Sequence, residues 1–310
     1  MTLTKIVFAC DESGAKGYAD QTESFPGEVG VFAGILVPEE CEAVARPEFQ
    51  AIVDKYKPQV GKLHIADLTP EQQEALREDM YGAIRKLKLP CFWYAIHVEG
   101  LHEWHSTQSA LLNNAKQTAL TAKPVPRVKL GSDRATLPSM HEELFAGLYG
   151  HLIAFLEERN RKKVAVEVRT DQIDTPIVKN FEAFAKRLLS DDPYLKTVTG
   201  WDTVTKTVVE GQIEIGVRIP PEMQIETVVT QLAINAVRDD DDGYVLAADV
   251  LANSLNYLFK TRSQSELYAP LNRPEAIANH PIADSLAAFL DWGSGDVMGD
   301  GLYRHPQAGI

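Results

Sequence analysis

The stretch that most constrains the fold runs from Thr4 to Gly17, TKIVFACDESGAKG. Ile6, Val7, Phe8, Ala9 and Cys10 form an apolar run that reads as a buried strand, and the run ends in two adjacent carboxylates, Asp11 and Glu12, then Ser13 and Gly14. Buried charge is costly unless it is paired or holds a metal, so a strand that delivers carboxylates to its end needs an explanation. One explanation is local, because Asp, Ser and Gly are turn formers and the four residues can simply close the strand. The other requires further carboxylates that converge on Asp11. If strand geometry persists, Glu12 points to the face opposite Asp11, and both join one cluster only where the chain turns.

With 310 residues, 45% of them hydrophobic, the chain can bury a sizeable core without staples. Three cysteines, Cys10, Cys41 and Cys91, occur in no C-x-x-C spacing, which suits buried thiols in a reducing cytosol. Acidic residues arrive too early for a signal peptide, and no apolar run approaches the roughly 20 residues of a membrane span. The expectation is a soluble, cytoplasmic protein with no membrane partner. Lys and Arg number 31 against 44 Asp and Glu, a net charge of −13, which argues against holding nucleic acid by broad phosphate neutralisation. It does not exclude an enzyme that meets phosphates through a bound cation. Locally the balance reverses: residues 116–134 carry Lys116, Lys123, Arg127, Lys129 and Arg134 against Asp133, and RNRKK follows at 159–163. Each cluster reads either as solvated surface or, for Lys123, Arg127, Lys129 and Arg134, as a loop that guides a phosphate backbone.

EVGVFAGILVP (28–38) reads as a second strand and hairpin partner of the first, and PCFWYAIHV (90–98) as a third. Thr69, Pro70 and Gln72 spell a helix start with a capping box. STQSALLNNAKQTALTA reads as helical, and a long amphipathic helix follows Pro138 with Leu144, Leu148, Leu152 and Phe155 at helical spacing. KVAVEV (163–168) is the next strand, then a helix from about Pro176 to Leu189, then KTVVEGQIEIGVRI as one or two strands. ETVVTQLAINAV is ambiguous between strand and helix, and residues 243–260 form a helix capped by Asp242. These alternations suit one mixed α/β domain.

Two-ion hydrolysis of a phosphodiester needs three or four carboxylates from different elements. Asp11 suits the bridging role. VEVRTDQIDT offers Glu167 inside a strand and Asp171 just beyond it, with Asp174 reading as a helix cap. Asp249 sits among Val245, Leu246, Ala247, Ala248, Val250, Leu251 and Ala252, where an acid needs a cation, a hydrogen-bond donor or exposure. His97, His102 and His105 lie close in sequence but lack a third ligand at a known zinc spacing, and read as structural. DDDDG at 239–243 lacks the alternating pattern of a calcium loop, and no P-loop, dinucleotide fingerprint or nucleophile elbow occurs.

IVFACDESG, GVFAGILVP and VLAADVLANSL together resemble the bacterial proteins grouped as domain of unknown function 3800, whose fold is ribonuclease H-like. GKLHIADL, with Lys62, His64 and Asp67, matches that family's segment after its first helical region more loosely, and Val245 and Leu246 stand where the family carries Gln near its Ala-Asp pair. The resemblance covers residues 4–260. It implies an α/β fold, a ribonuclease H-like mixed sheet flanked by helices, over residues 1–261 with a helical insertion at about 39–160 and a C-terminal extension at 262–310. It also implies Mg²⁺- or Mn²⁺-dependent phosphodiester cleavage. The leading expectation is therefore a metal-dependent nuclease or phosphodiesterase acting on DNA or RNA, with Asp11, Asp171 and Asp249 as ligands and catalytic groups and Glu12 or Glu167 as helpers. A second expectation is a catalytically silent interaction subunit in a multi-component bacterial system, and a third a hydrolase of nucleotides or small phosphoesters.

Overall fold

β1 (Thr4–Gly14) is the middle strand of a five-stranded sheet. The computed structural model describes residues 3–19, 22–121, 127–130, 137–171, 175–188, 194–215, 226–238, 241–286 and 298–309. β2 (Val29–Pro38) pairs antiparallel with β1, from Ile6 opposite Pro38 to Gly14 opposite Gly30, and β3 (Cys91–His97) pairs antiparallel with β2. On the other side β5 (Lys163–Thr170) runs parallel to β1, and β8 (Val228–Ala236) parallel to β5. The order β3-β2-β1-β5-β8, with three antiparallel strands followed by two parallel ones, is a ribonuclease H-like mixed sheet. β8 resolves the ambiguity of ETVVTQLAINAV in favour of strand, in keeping with its β-branched residues.

Two apolar layers cover the sheet. Val7 and Ala9 of β1 and Val31, Ala33 and Ile35 of β2 face α1 (Glu39–Tyr56), α2 (Pro70–Leu87) and α6 (Gly243–Lys260). Phe8 and Cys10 of β1 and Val164, Val166 and Val168 of β5 face the other way, against α4 (Met140–Glu158) and α5 (Thr175–Leu188). The cores are built by period-2 alternation along each strand. Helix starts follow the expected chemistry: Thr69 Oγ1 accepts from Gln72 N at 3.3 Å while Gln72 Oε1 accepts from Thr69 N at 3.1 Å, and Asp242 Oδ1 accepts from Tyr244 N at 2.9 Å.

Within the stretch 39–160, β3 belongs to the main sheet, as its reading as a third strand expects, and α4 supplies much of one of the two cores. An apolar strand such as β3, buried along its whole length, needs cover on both faces and recruits the neighbouring helices into the domain. The C-terminal segment likewise packs into the domain: Leu271, Ile277, Ile282 and Leu286 join the α6-side core. The Asn272 side chain pairs with the backbone of Ala95 as a further strand would, accepting from its N–H at 2.8 Å and donating to its carbonyl at 2.9 Å. That contact covers the edge of β3.

A second, three-stranded sheet joins β4 (Val128–Leu130), β6 (Tyr194–Asp202) and β7 (Thr207–Ile215). β7 takes up part of the expected strand region, and its partner β6 is a strand the sequence analysis did not identify.

Candidate metal centre

The last paired residues of the parallel strands β1 and β5 are Cys10 and Thr170, so Asp11 and Asp171 are the next residue on each. Neighbouring strands lie about 4.8 Å apart, which brings the two acids side by side at the carboxyl end of the sheet. Alternation puts Asp11 on the face of Val7 and Ala9, under α6, and Asp11 is buried. Asp249 enters from α6 itself. It is 3% exposed, in a helix whose neighbouring Ala248 and Val250 are wholly buried.

The electrostatics join Asp171 and Asp249. Burial pushes the Asp249 carboxyl above its ordinary range, and the charge of Asp171 pushes the same way. His64, Lys62 and a hydrogen bond from Ile65 N, at 3.4 Å to Oδ2, oppose the shift. Lys62 Nζ donates to Asp171 Oδ2 at 2.8 Å. All the opposing groups come from one segment, residues 62–65, whose Leu63 and Ile65 are fully buried and anchor it to the core.

The structure does not bring the two helper acids to this cluster. β1 stays extended through Gly14, so Glu12 points to the opposite face, where it pairs with His141 of α4. That hydrogen bond raises the His141 pKa, and Glu12 charge adds to it. Glu167 shares a face with Asp171 but lies four residues back along the strand, about 13 Å at 3.3 Å per residue. There it accepts from Arg169 Nε at 2.9 Å and Asn235 Nδ2 at 3.1 Å, and the guanidinium holds its carboxyl below the usual range.

Arg169 has a structural role that sequence reasoning missed. Its guanidinium also donates to Asp242 Oδ2 at 2.9 Å, so one side chain on β5 clamps the N-cap of the helix that carries Asp249. Lys62 and His64 entered the sequence analysis only through a loose family match, and no local pattern marks them as neighbours of Asp171 and Asp249. Ser13 and Gly14 are explained by the same helix. Asn256 Nδ2 donates to Ser13 Oγ at 3.1 Å, and Gly14, at φ +89°, has no Cβ that would meet Val29 O at 2.4 Å and Asn256 Nδ2 at 2.5 Å.

The donors of Asp11, Asp171 and Asp249 are all carboxylate oxygens, the set a hard cation such as Mg²⁺ or Mn²⁺ takes. Among the described residues, no three His, Cys, Asp or Glu side chains are gathered closely enough to hold a metal as they stand. The Lys62 ammonium lies on the Asp171 carboxylate, where positive charge is called for. The type of donor atom suits a hard divalent ion, while the side chains as placed are not gathered to hold one and Lys62 supplies the positive charge on Asp171. His97 turns to the carbonyl of Ala269 at 3.2 Å, while His102 stacks on Tyr18, in line with the structural reading of these histidines.

Of the basic loop, Lys123 and Arg134 lie outside the described residues. Arg127 is committed to an ion pair: its Nε and Nη2 both reach Asp202 Oδ2 at 2.8 Å. Asp202 Oδ1 also accepts from Val204 N and Thr205 N, and these partners hold its carboxyl well below the usual range. Lys129 is exposed on β4, opposite the partly exposed Trp201 of β6.

No helix among the described residues is long and apolar enough to cross a membrane. No known family and no curated protein matches the chain. Among solved structures it is similar to the crystal structure of Bst-RNase HIII in complex with Mn²⁺, with a TM-score of 0.35 and 14% identity over 99% of this chain and 67% of that one. The ribonuclease H-like assignment rests on the order and directions of the five strands of the main sheet.

Proposed function

We propose that this chain is a cytoplasmic, divalent-cation-dependent phosphodiester hydrolase acting on nucleic acid, and a member of the family grouped as domain of unknown function 3800. The observations that support the reading are the electrostatic link between Asp171 and the buried Asp249 of α6, and the strand register that makes Asp11 the residue beside Asp171 at the carboxyl end of β1 and β5. A divalent ion bound by these acids would supply Lewis acidity to the scissile phosphate and lower the pKa of an attacking water. Asp11 and Asp171 would hold it from the sheet and Asp249 from the helix. Lys62 would balance the acid charge, and the buried wall of α6 would exclude bulk water and strengthen every electrostatic contact. Three free thiols, Cys10, Cys41 and Cys91, agree with a reducing compartment.

The test is Mn²⁺ and Mg²⁺ binding by calorimetry and thermal shift to the wild type, Asp11→Asn and Asp249→Asn. Binding weakened at least about tenfold by both substitutions supports one shared site. Wild type that binds neither ion at millimolar concentration, with all three proteins melting alike, overturns the reading. That outcome favours a silent interaction subunit, which the Lys62–Asp171 pair already occupying the cluster would suit.

A further inference from the structure

Trp201 of β6 stands in a row with Lys129 of β4 and Val208 of β7, directly opposite each of them across the small sheet. Trp201 is 44% exposed, Val208 65%, and Val204 in the turn between β6 and β7 70%. Alternation along β6 gives the row one face: Thr199 and Trp201 are exposed, while Gly200 and Asp202 are buried. The chain beside the indole is pinned. Asp202 accepts from Val204 N at 2.8 Å, Thr205 N at 3.1 Å and Arg127 Nε at 2.8 Å, and Thr203 N donates to Arg127 O at 2.9 Å. An indole and a valine side by side in water add nothing to the core, and contiguous exposed apolar surface marks a binding face.

The charges around the ring select the occupant. Lys129 is exposed and takes no ion pair among the described residues. It belongs to the stretch 123–134, where Lys123, Arg127, Lys129 and Arg134 outnumber Asp133 in a chain of net charge −13. Glu210 stands on the other strand, opposite Thr199 and diagonal to the ring, so positive charge flanks the indole on the β4 side. A chain this acidic gains little from broad phosphate neutralisation. Stacking on an indole does not depend on charge, and every base offers a face for it. In a duplex those faces are already stacked on one another, so the ring can take only an unpaired base. We infer that the β4-β6-β7 sheet is a platform for single-stranded nucleic acid, in which Trp201 stacks on a base and Lys129 holds the adjoining phosphate. The inference rests on the nucleic-acid reading above and adds the form of the substrate.

The experiment measures binding of fluorescein-labelled oligothymidylate, oligouridylate and a DNA duplex to the full chain by anisotropy, with tryptophan emission and melting temperature followed alongside. EDTA in the buffer keeps divalent ions out of the measurement. Wild type is expected to bind the single strands more tightly than the duplex. Trp201→Ala should weaken single-strand binding about 5- to 100-fold with an unchanged salt dependence, and Trp201→Phe should restore most of it. Quenching of the tryptophan emission by oligonucleotide should disappear in Trp201→Phe. If Trp201→Ala melts below wild type, Trp201→Leu, which keeps apolar cover without a ring, replaces it. Single-strand binding by Trp201→Ala equal to that of wild type, or a preference of wild type for duplex, overturns the platform and leaves the nucleic-acid reading standing. Self-association of wild type in sedimentation that Trp201→Ala abolishes, with oligonucleotide binding unchanged, overturns it in favour of a contact between copies. Wild type that binds no oligonucleotide in EDTA or in Mn²⁺ overturns that reading and the platform together.

Discussion

Glu12 and Asp11 are adjacent in the chain yet serve opposite faces of one sheet: Asp11 lies under α6, and Glu12 pairs with His141 on α4. Glu12→Gln is therefore expected to leave Mn²⁺ affinity within about threefold of wild type, while Asp11→Asn weakens it about tenfold or more. The His141 pKa, raised chiefly by its bond to Glu12, should fall in Glu12→Gln when followed by NMR titration. Equal losses of Mn²⁺ binding in both variants would show that Glu12 reaches the cluster after all.

Gly14 lets α6 approach β1. An alanine there would put its Cβ 2.4 Å from Val29 O and 2.5 Å from Asn256 Nδ2 at a backbone angle of +89°. Gly14→Ala should cost about 2 to 4 kcal/mol in urea unfolding, since the positive-φ strain and the shortest clash, with the Val29 carbonyl, fall on backbone that cannot move freely. Asn256→Ala, which removes only the bond to Ser13, should cost about 1 kcal/mol. A Gly14→Ala protein as stable as wild type would mean that α6 is loosely seated.

His280 is 5% exposed, its Nε2 lies 2.9 Å from Ser254 Oγ, and burial pushes its pKa down to about 4. The neutral ring is the form that folds, whereas the unfolded chain takes up a proton near the ordinary 6.5. The stability it contributes is complete above pH 6.5 and is lost as pH falls towards 4, by about 3 kcal/mol over that window. Urea midpoints measured across this range should fall less steeply for His280→Gln than for wild type. Parallel curves would remove His280 as the source. His97, also buried with its pKa pushed down to about 3, should leave part of the slope in the variant.

In the small sheet, the positive charge of Arg127 is spent on Asp202, while Lys129 remains exposed beside Trp201. Binding of a fluorescent single-stranded oligonucleotide by an Asp11→Asn protein, read by anisotropy at several salt concentrations, separates the two. Lys129→Gln should weaken binding a few-fold and reduce the salt slope by about 1 without changing the melting temperature. Arg127→Gln should lower the melting temperature, because the buried Asp202 carboxylate loses its charged partner and keeps only the Val204 and Thr205 N–H groups. If Lys129→Gln binds with the wild-type slope, that sheet is not a phosphate contact.

Local rules settled much of this protein from sequence. Thr69, Gln72 and Asp242 cap helices as their spacing demands, and β1, β2, β3 and β5 follow runs of β-branched and apolar residues, because these signals act within a few residues of the chain. Asp11, Asp171 and Asp249 were legible as acids in places where an acid must be explained. The tertiary structure decided which acids become neighbours. The pairing of β1 with β5 sets Asp171 next to Asp11, the persistence of the strand through Gly14 sends Glu12 to His141, and Arg169 holds Glu167 two residues away on its own strand. Lys62 reaches Asp171 across 109 residues of chain. Such a contact depends on strand register and helix placement, neither of which is written in the spacing of neighbouring residues.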